Sequence, residues 1–152
     1  MPNKPVLSPE DKLVIKQKLL QLCEDFWIAQ GYKKTSIKAL CSEAKISIGT
    51  FYVLFATKEQ LFLETAQTIQ SRLTERFKET VLQTPNRMGL SKALKKLARE
   101  FDHNPFLYDV NSVDFRAFVT KLSTEEIETI KFESMSFFKE VCQIVNLQPV
   151  ID

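Results

Sequence analysis

A short stretch of the chain combines positive charge with hydroxyl side chains, the residue types that contact nucleic-acid phosphates. Residues 33–58 contain five lysines against one acid, Glu43, whereas residues 61–152 hold twelve basic and thirteen acidic residues. The net charge of the whole chain is only +2, so the positive excess is local. A phosphate-contacting surface requires such a segment, although a solvated lysine face is the more common cause of such a count.

Other chemistries have little support in the sequence. The chain has one histidine, His103, three separated cysteines and three glycines. These residues give no readable metal site, disulfide framework, nucleophile beside a base or glycine-rich phosphate loop. We therefore expect no enzyme activity, metal or cofactor. No segment has the apolar length of a membrane helix or signal peptide, so we expect a cytoplasmic protein without a membrane partner.

Helix signals follow one another along the chain and predict an all-α fold. Ser8 and Pro9 begin a first amphipathic helix, and Gly31 is expected to close it with a left-handed cap. A threonine-to-glutamine capping box that starts at Thr57 opens a long helix, which ends near Leu82. The elements that must position the basic segment therefore lie between two long helices.

Capping serines predict two short helices joined by a tight turn in that interval. Thr35-Ser36 can cap a helix over about residues 37–44, and Ser47 can cap one over about residues 48–55. This is the helix-turn-helix arrangement, in which the second helix presents its N-terminal side chains to the major groove. Lys58 lies in the first turn of the next helix, where its charge opposes the helix dipole and gains nothing locally, so we expect a phosphate near it.

The second half of the chain predicts further amphipathic helices. One spans about Leu90 to Phe101, and a capping box at Ser123 opens the last, over about Thr124 to Leu147. Apolar residues cover more than one face of this last helix: Phe137 and Ile144 lie outside a stripe of Ile127, Ile130, Phe138, Val141 and Val145. Because one subunit cannot bury both sets, we expect self-association through this helix.

Three stretches of the sequence resemble the DNA-binding signature of the tetracycline-repressor-like (TetR) transcriptional regulators. They are Gly31-Tyr32-Lys33-Lys34-Thr35-Ser36-Ile37, residues 44–55, and Lys58-Glu59-Gln60-Leu61-Phe62. The similarity covers about Leu19 to Phe62. It implies a three-helix helix-turn-helix head, residues 1–56, and a helical ligand-binding and dimerisation body, residues 57–152. The family usually continues into one more helix, so we expect a body without the last family helix.

The resemblance also implies roles for individual residues of the head. Thr35, Ser36, Tyr52 and Lys58 match phosphate-contacting positions, while other matched positions read bases. With the neighbouring lysines, the expected DNA-binding residues are Lys34, Thr35, Ser36, Lys38, Lys45, Ser47, Ile48, Thr50, Tyr52 and Lys58. The positions that match the head's internal core are Leu40, Ala44, Phe51 and Phe55.

Three residues depart from the family pattern. Lys45 stands where the turn usually has glycine, so a left-handed conformation there costs about 1 kcal/mol. Ile48 and Val53 stand where polar or charged residues are common, which leaves the recognition helix poor in hydrogen-bonding groups. Ile48 can instead contact a thymine methyl group.

Aromatic residues of the body predict a cavity for a small apolar or aromatic effector. Most of its phenylalanines belong to the core, and the candidates for ligand contact are Phe101, Phe106, Tyr108, Phe115, Phe118 and Phe132. Asp109, Asp114 and Glu133 could balance a cationic ligand, although surface solvation is the more common role of such residues.

The sequence thus favours a one-component bacterial transcriptional regulator, a repressor. In this hypothesis a homodimer binds a palindromic double-stranded operator and a small molecule releases it. The alternative is a helical protein–protein interaction module that keeps the head fold without specific DNA binding. Apolar Ile48 and Val53 favour that alternative.

Overall fold

A computed structural model describes residues 6–104 and 109–147, which form seven helices and no strand. This confirms the predicted all-α fold. No helix among the described residues is long and apolar enough to cross a membrane. The helices are α1 (Pro9–Lys34), α2 (Ile37–Ala44), α3 (Ile48–Leu54), α4 (Lys58–Gln83), α5 (Arg87–His103), α6 (Val113–Val119) and α7 (Thr124–Ile144).

The first helix begins as predicted but does not end at Gly31. Ser8 and Asp11 form a capping box at its start, and the helix continues to Lys34 across a kink at Gly31, where φ is 83° and ψ is 175°. The prediction of a left-handed helical cap is wrong, because that conformation needs ψ near 47°. The positive φ still requires glycine, and it redirects the backbone just before Tyr32.

The two short helices have the predicted caps. The Ser36 hydroxyl accepts a hydrogen bond from the Ala39 N–H and the Ser47 hydroxyl accepts one from the Thr50 N–H, each at 3.1 Å. Between the helices, Lys45 adopts the left-handed conformation with φ 57° and ψ 45°. The expected strained lysine in the turn is therefore confirmed.

The cap of α4 differs in one hydrogen bond from the predicted capping box. The Thr57 hydroxyl accepts from the Gln60 N–H at 3.0 Å, as expected. The Gln60 side chain, however, accepts from the N–H of Ala56 at 2.7 Å. This hydrogen bond from Ala56 to Gln60 ties the loop after α3 to the first turn of α4.

One hydrophobic core connects the head with the body. The predicted head residues Leu40, Ala44, Phe51 and Phe55 are all buried. The same cluster extends to aromatic and aliphatic residues of α1, α4 and α6, among them Trp27, Tyr32, Leu61, Phe62 and Phe118. The domain boundary between residues 56 and 57 stays a prediction, since α4 begins at this point and shares the core of the head.

The last helix turns a different face inward than the sequence predicts. Phe137 is half-buried and its ring lies 5.5 Å from that of Phe77 on α4, whereas Phe138 is 53% exposed. The predicted stripe is wrong at these two residues, because α7 packs against α4 through a second core cluster that includes Phe77 and Val81. The helix leaves a separate apolar strip on the surface, formed by Phe132, Met135 and Phe138.

Candidate nucleic-acid interface

The recognition helix α3 presents a mixed polar and apolar surface. Ser47, Ile48 and Tyr52 are exposed and Thr50 is half-buried. The Ser47 and Thr50 hydroxyls lie 3.0 Å apart and hydrogen-bond each other. The Tyr52 ring packs edge-on against buried Phe51 with ring centroids 5.4 Å apart, and within the described residues its hydroxyl has no hydrogen-bond partner. The ring is therefore anchored while its hydroxyl is free for an external contact.

Four further predicted contact residues are exposed on the elements around α3. Lys34 lies at the end of α1, Ser36 and Lys38 at the start of α2, and Lys45 in the turn before α3. All four lie at capped helix ends, in the first turn of a capped helix or in the turn between two helices, so their backbones are fixed before any partner binds. Their exposure suits contact with a phosphate backbone.

Thr35 does not offer its side chain to a partner, contrary to the sequence prediction. Its side chain is 1% exposed. The hydroxyl donates to the carbonyl oxygen of Gly31 at 2.8 Å and accepts a longer bond from the Gln30 amide. Thr35 closes the end of α1, and Ser36 next to it is the residue whose hydroxyl remains exposed.

Lys58 has close partners within the protein, so the premise that its charge gains nothing locally is wrong. Its Nζ donates to the carbonyl oxygen of Tyr32 at 2.7 Å and lies 4.1 Å from the centre of the Tyr32 ring. Burial lowers the pKa of Lys58, and the negative charges of Glu59 and Asp114 partly oppose that effect. Lys58 is only half-buried, so a phosphate contact by its ammonium group stays a prediction.

Tyr32 and Asp114 make contacts that no pattern in the sequence predicts. The N–H groups of Tyr32 and Lys33 donate to the two carboxylate oxygens of Asp114, at 2.7 and 2.9 Å. The Tyr32 hydroxyl donates to Glu59 at 2.5 Å. Burial first, and then the bond to Glu59, raise the pKa of Tyr32. The stability linked to this phenol is thus present below its ordinary pKa of 10.0 and is lost as the pH rises further.

In the sequence, only the position of Tyr32 within the family-like motif marks it as a candidate functional residue. Asp114 lies 82 residues away, so no local pattern connects the two. The interpretation of Asp114 as a balance for a cationic ligand is wrong, since its carboxylate is occupied by the two backbone N–H groups of the head.

An apolar cavity of about 530 Å³ lies in the body between α1, α4, α5, α6 and α7. The buried Trp27 forms part of its wall, and the indole N–H of Trp27 has no hydrogen-bond partner among the described residues. Lys131 is the one charged side chain among the described lining residues, and it pairs with Glu128 at 3.0 Å. The polar groups in the wall besides these come from Gln67, Gln70 and Ser134.

The predicted ligand-contacting residues divide into three groups. Phe101, Phe115 and Phe118 line the cavity. Phe132 does not line it, because α7 turns this ring outward and leaves it 73% exposed. Phe106 and Tyr108 lie outside the described residues.

The comparisons with known proteins bear on the head. Residues 22–65 match the family model described as bacterial regulatory proteins of the tetR family. No curated protein matches the chain. The matched residues run from within α1 through the helix-turn-helix to the first two turns of α4, which is the segment that carries the surface described above. Over residues 22–65, the head of this chain therefore carries the DNA-binding domain of the tetR family of bacterial regulatory proteins.

Proposed function

We propose that this protein is a one-component transcriptional repressor that binds a palindromic operator as a homodimer and is released by a small molecule. The observation that carries the proposal is the pairing of two separate features. An exposed basic and hydroxyl surface lies on the capped head, and an apolar cavity lies in the body. The proposal divides the chain into a DNA-binding domain, residues 1–56, and an effector-binding and dimerisation domain, residues 57–152.

We propose that phosphate contacts dominate the affinity for DNA. The contacting lysines are Lys34, Lys38 and Lys45, with Lys58 at the edge of the surface. Ser36 and Tyr52 add neutral hydrogen bonds to phosphates, whereas Ser47, Ile48 and Thr50 face the bases. Because α3 offers few hydrogen-bonding groups, readout of the DNA sequence depends on the hydroxyls of Ser47 and Thr50 and on apolar contact by Ile48 with thymine methyl groups.

Selection of bound duplexes from a random DNA pool tests the proposal. We expect recovery of an inverted repeat whose half-sites lie about one helical turn apart, since each subunit of a dimer supplies one recognition helix. Affinity for the recovered duplex should fall steeply as salt rises. The proposal would be contradicted if the selection enriched no sequence and every duplex dissociated at the same salt concentration as unrelated DNA.

The cavity wall supports an apolar effector without positive charge. The described lining includes three predicted aromatic residues and no carboxylate. Its one charged side chain, Lys131, is a cation. We therefore propose a mostly apolar or aromatic molecule, neutral or carrying an acceptor group, instead of the cationic ligand that the sequence leaves open.

We propose that the homodimer forms through α7. The strip of Phe132, Met135 and Phe138 is 49% to 73% exposed, and it extends along consecutive turns of this helix. Apolar residues clustered in this way on a helix are typical of an interface between subunits.

The alternative function, a protein–protein module with the same head, keeps one specific observation in its favour. On α3, Ile48 is 47% and Val53 is 59% exposed. Those apolar side chains suit a protein surface as well as a thymine methyl group. The selection experiment separates the two functions, since the module would recover no preferred sequence.

A further inference from the structure

Tyr32 is the residue at which contacts from the head and the body meet. Its N–H donates to Asp114 on α6 at 2.7 Å, and its carbonyl oxygen accepts from Lys58 on α4 at 2.7 Å. Its hydroxyl donates to Glu59, also on α4. The residue therefore fixes the end of α1 to two helices of the body at three points.

The contact between α6 and the end of α1 is made by the carboxylate of Asp114. Its two oxygens accept from the consecutive N–H groups of Tyr32 and Lys33, an arrangement called the Asp114 clasp below. Gly31 makes the clasp possible, because its φ of 83° redirects the chain. In addition, a Cβ atom at Gly31 would lie 2.7 Å from an Asp114 oxygen.

The helix that carries the clasp also forms a wall of the cavity. Phe115 and Phe118 follow Asp114 by one and four residues on α6, and both line the cavity. The Phe118 ring lies 5.5 Å from the Tyr32 ring and 5.3 Å from the Trp27 ring. Since α6 spans seven residues, displacement of its aromatic side chains moves Asp114 with them.

We propose that the Asp114 clasp couples the cavity to the DNA-binding head. A molecule that fills the cavity pushes against Phe115 and Phe118, withdraws the carboxylate from Tyr32 and Lys33, and frees the end of α1 from its position against Lys58. This inference rests on the proposed function and specifies how occupancy of the cavity changes operator affinity. Asp114 is a positioning residue, since it contacts neither the DNA nor the occupant.

The test compares Asp114→Asn with Asp109→Asn in the full chain. The substitution at Asp114 keeps the size of the side chain but presents an amide group to one of the two N–H donors. Asp109 is a matched control, because it is exposed and, among the described residues, its carboxylate accepts from the nearby Asn111 N–H alone. Amide hydrogen exchange at Tyr32 and Lys33 should accelerate about fivefold to tenfold in Asp114→Asn and stay at the wild-type rate in Asp109→Asn.

The functional readout is affinity for the duplex recovered from the random pool, with and without the neutral dye N-phenyl-1-naphthylamine. In the wild type and in Asp109→Asn, saturating dye should weaken operator binding at least fivefold. In Asp114→Asn, operator affinity should already be lower, and added dye should change it less than twofold. Calorimetry should give equal dye affinity for the wild type and Asp109→Asn and a higher dye affinity for Asp114→Asn, because the dye does not have to open the clasp in that variant. A cavity-filling variant, Ile127→Trp, should reproduce the effect of the dye only where Asp114 is present.

Several outcomes would overturn the coupling. Faster exchange in Asp114→Asn with wild-type operator affinity and wild-type response would make the clasp purely structural. The coupling is also absent if neither the dye nor Ile127→Trp changes operator affinity in an otherwise wild-type chain. In that case, binding to a preferred DNA sequence would still support the proposed regulator function. If Asp114→Asn does not fold, Asp114→Ser, whose shorter side chain removes the carboxylate without adding bulk beside Gly31, should show the same loss of response.

Discussion

At the scale of single residues, Lys58 shows how contacts inside the protein can hold a charged side chain at the start of a helix. Its ammonium group donates to a carbonyl oxygen of α1 and lies over an aromatic ring. Lysine at the start of a helix is electrostatically unfavourable. The close acceptor and ring compensate for this, so no bound anion is needed to explain the residue.

Replacing Lys58 by methionine should therefore lower the free energy of unfolding. We expect a loss of about 1–2 kcal/mol in urea unfolding, because one charge-assisted hydrogen bond and one cation–π contact disappear while the apolar stem stays. Lys38→Met, at an exposed position, serves as the control. If the ammonium also meets phosphate, the salt slope of DNA binding falls by about 1 for both variants. Wild-type stability in Lys58→Met would contradict the internal role.

Thr35 gives a second prediction at this scale, with its neighbour as control. Thr35→Val removes the hydroxyl that donates to Gly31 and leaves a buried carbonyl oxygen with one bond fewer. We expect a loss of about 1–2 kcal/mol in stability and an unchanged DNA affinity per folded molecule. Ser36→Ala should lose about 1 kcal/mol of stability as well, because its hydroxyl caps α2, and it should in addition weaken DNA binding per folded molecule. A lower DNA affinity with unchanged stability in Thr35→Val would restore the phosphate role.

At the scale of elements, the exposed surface of α3 carries one ring, that of Tyr52, which is anchored against buried Phe51. Tyr52→Phe keeps the packing against Phe51 and removes only the exposed hydroxyl. We expect an unchanged melting temperature and a loss of DNA affinity on the order of 1 kcal/mol, the scale of one hydrogen bond. A lower melting temperature with unchanged affinity per folded molecule would show that the hydroxyl has an internal partner.

The short elements of the head were predictable because their signals are local. Ser36, Ser47 and Ser123 each cap a helix by binding an N–H group three residues onward, and a window of a few residues contains the whole interaction. The left-handed Lys45 followed from the same windows and from the resemblance. The exposed residues of the candidate DNA-binding surface could therefore be predicted from the sequence.

Interactions between distant elements were not predictable in this way. The bond between Asp114 and Tyr32 joins residues that no local pattern connects, and an aspartate at a helix start is usually explained by the helix dipole alone. The choice between Phe137 and Phe138 is a similar case. Two adjacent phenylalanines fit either face of α7, and the ring of Phe77 on α4 decides which one turns inward.

At the scale of the whole molecule, the exposed strip of α7 predicts assembly. The double variant Phe132→Glu with Phe138→Glu places two charges at positions that are 73% and 53% exposed. We expect a shift from dimer to monomer in sedimentation at low micromolar concentration, with the dissociation constant raised at least about tenfold. Gln17→Glu, at an exposed position of α1, adds a charge on another helix and should leave the dimer unchanged. A wild-type protein that sediments as a monomer would contradict the proposed interface.

The buried indole in the cavity wall gives the molecule its own optical reporter. Trp27 is the single tryptophan of the chain, it is fully buried, and it contacts Phe62, Phe115 and Phe118. Its fluorescence should therefore emit at short wavelength in the native protein and shift to longer wavelength on unfolding. A compound that enters the cavity should quench or shift this emission without any added label, so libraries of candidate effectors can be screened on the unmodified protein.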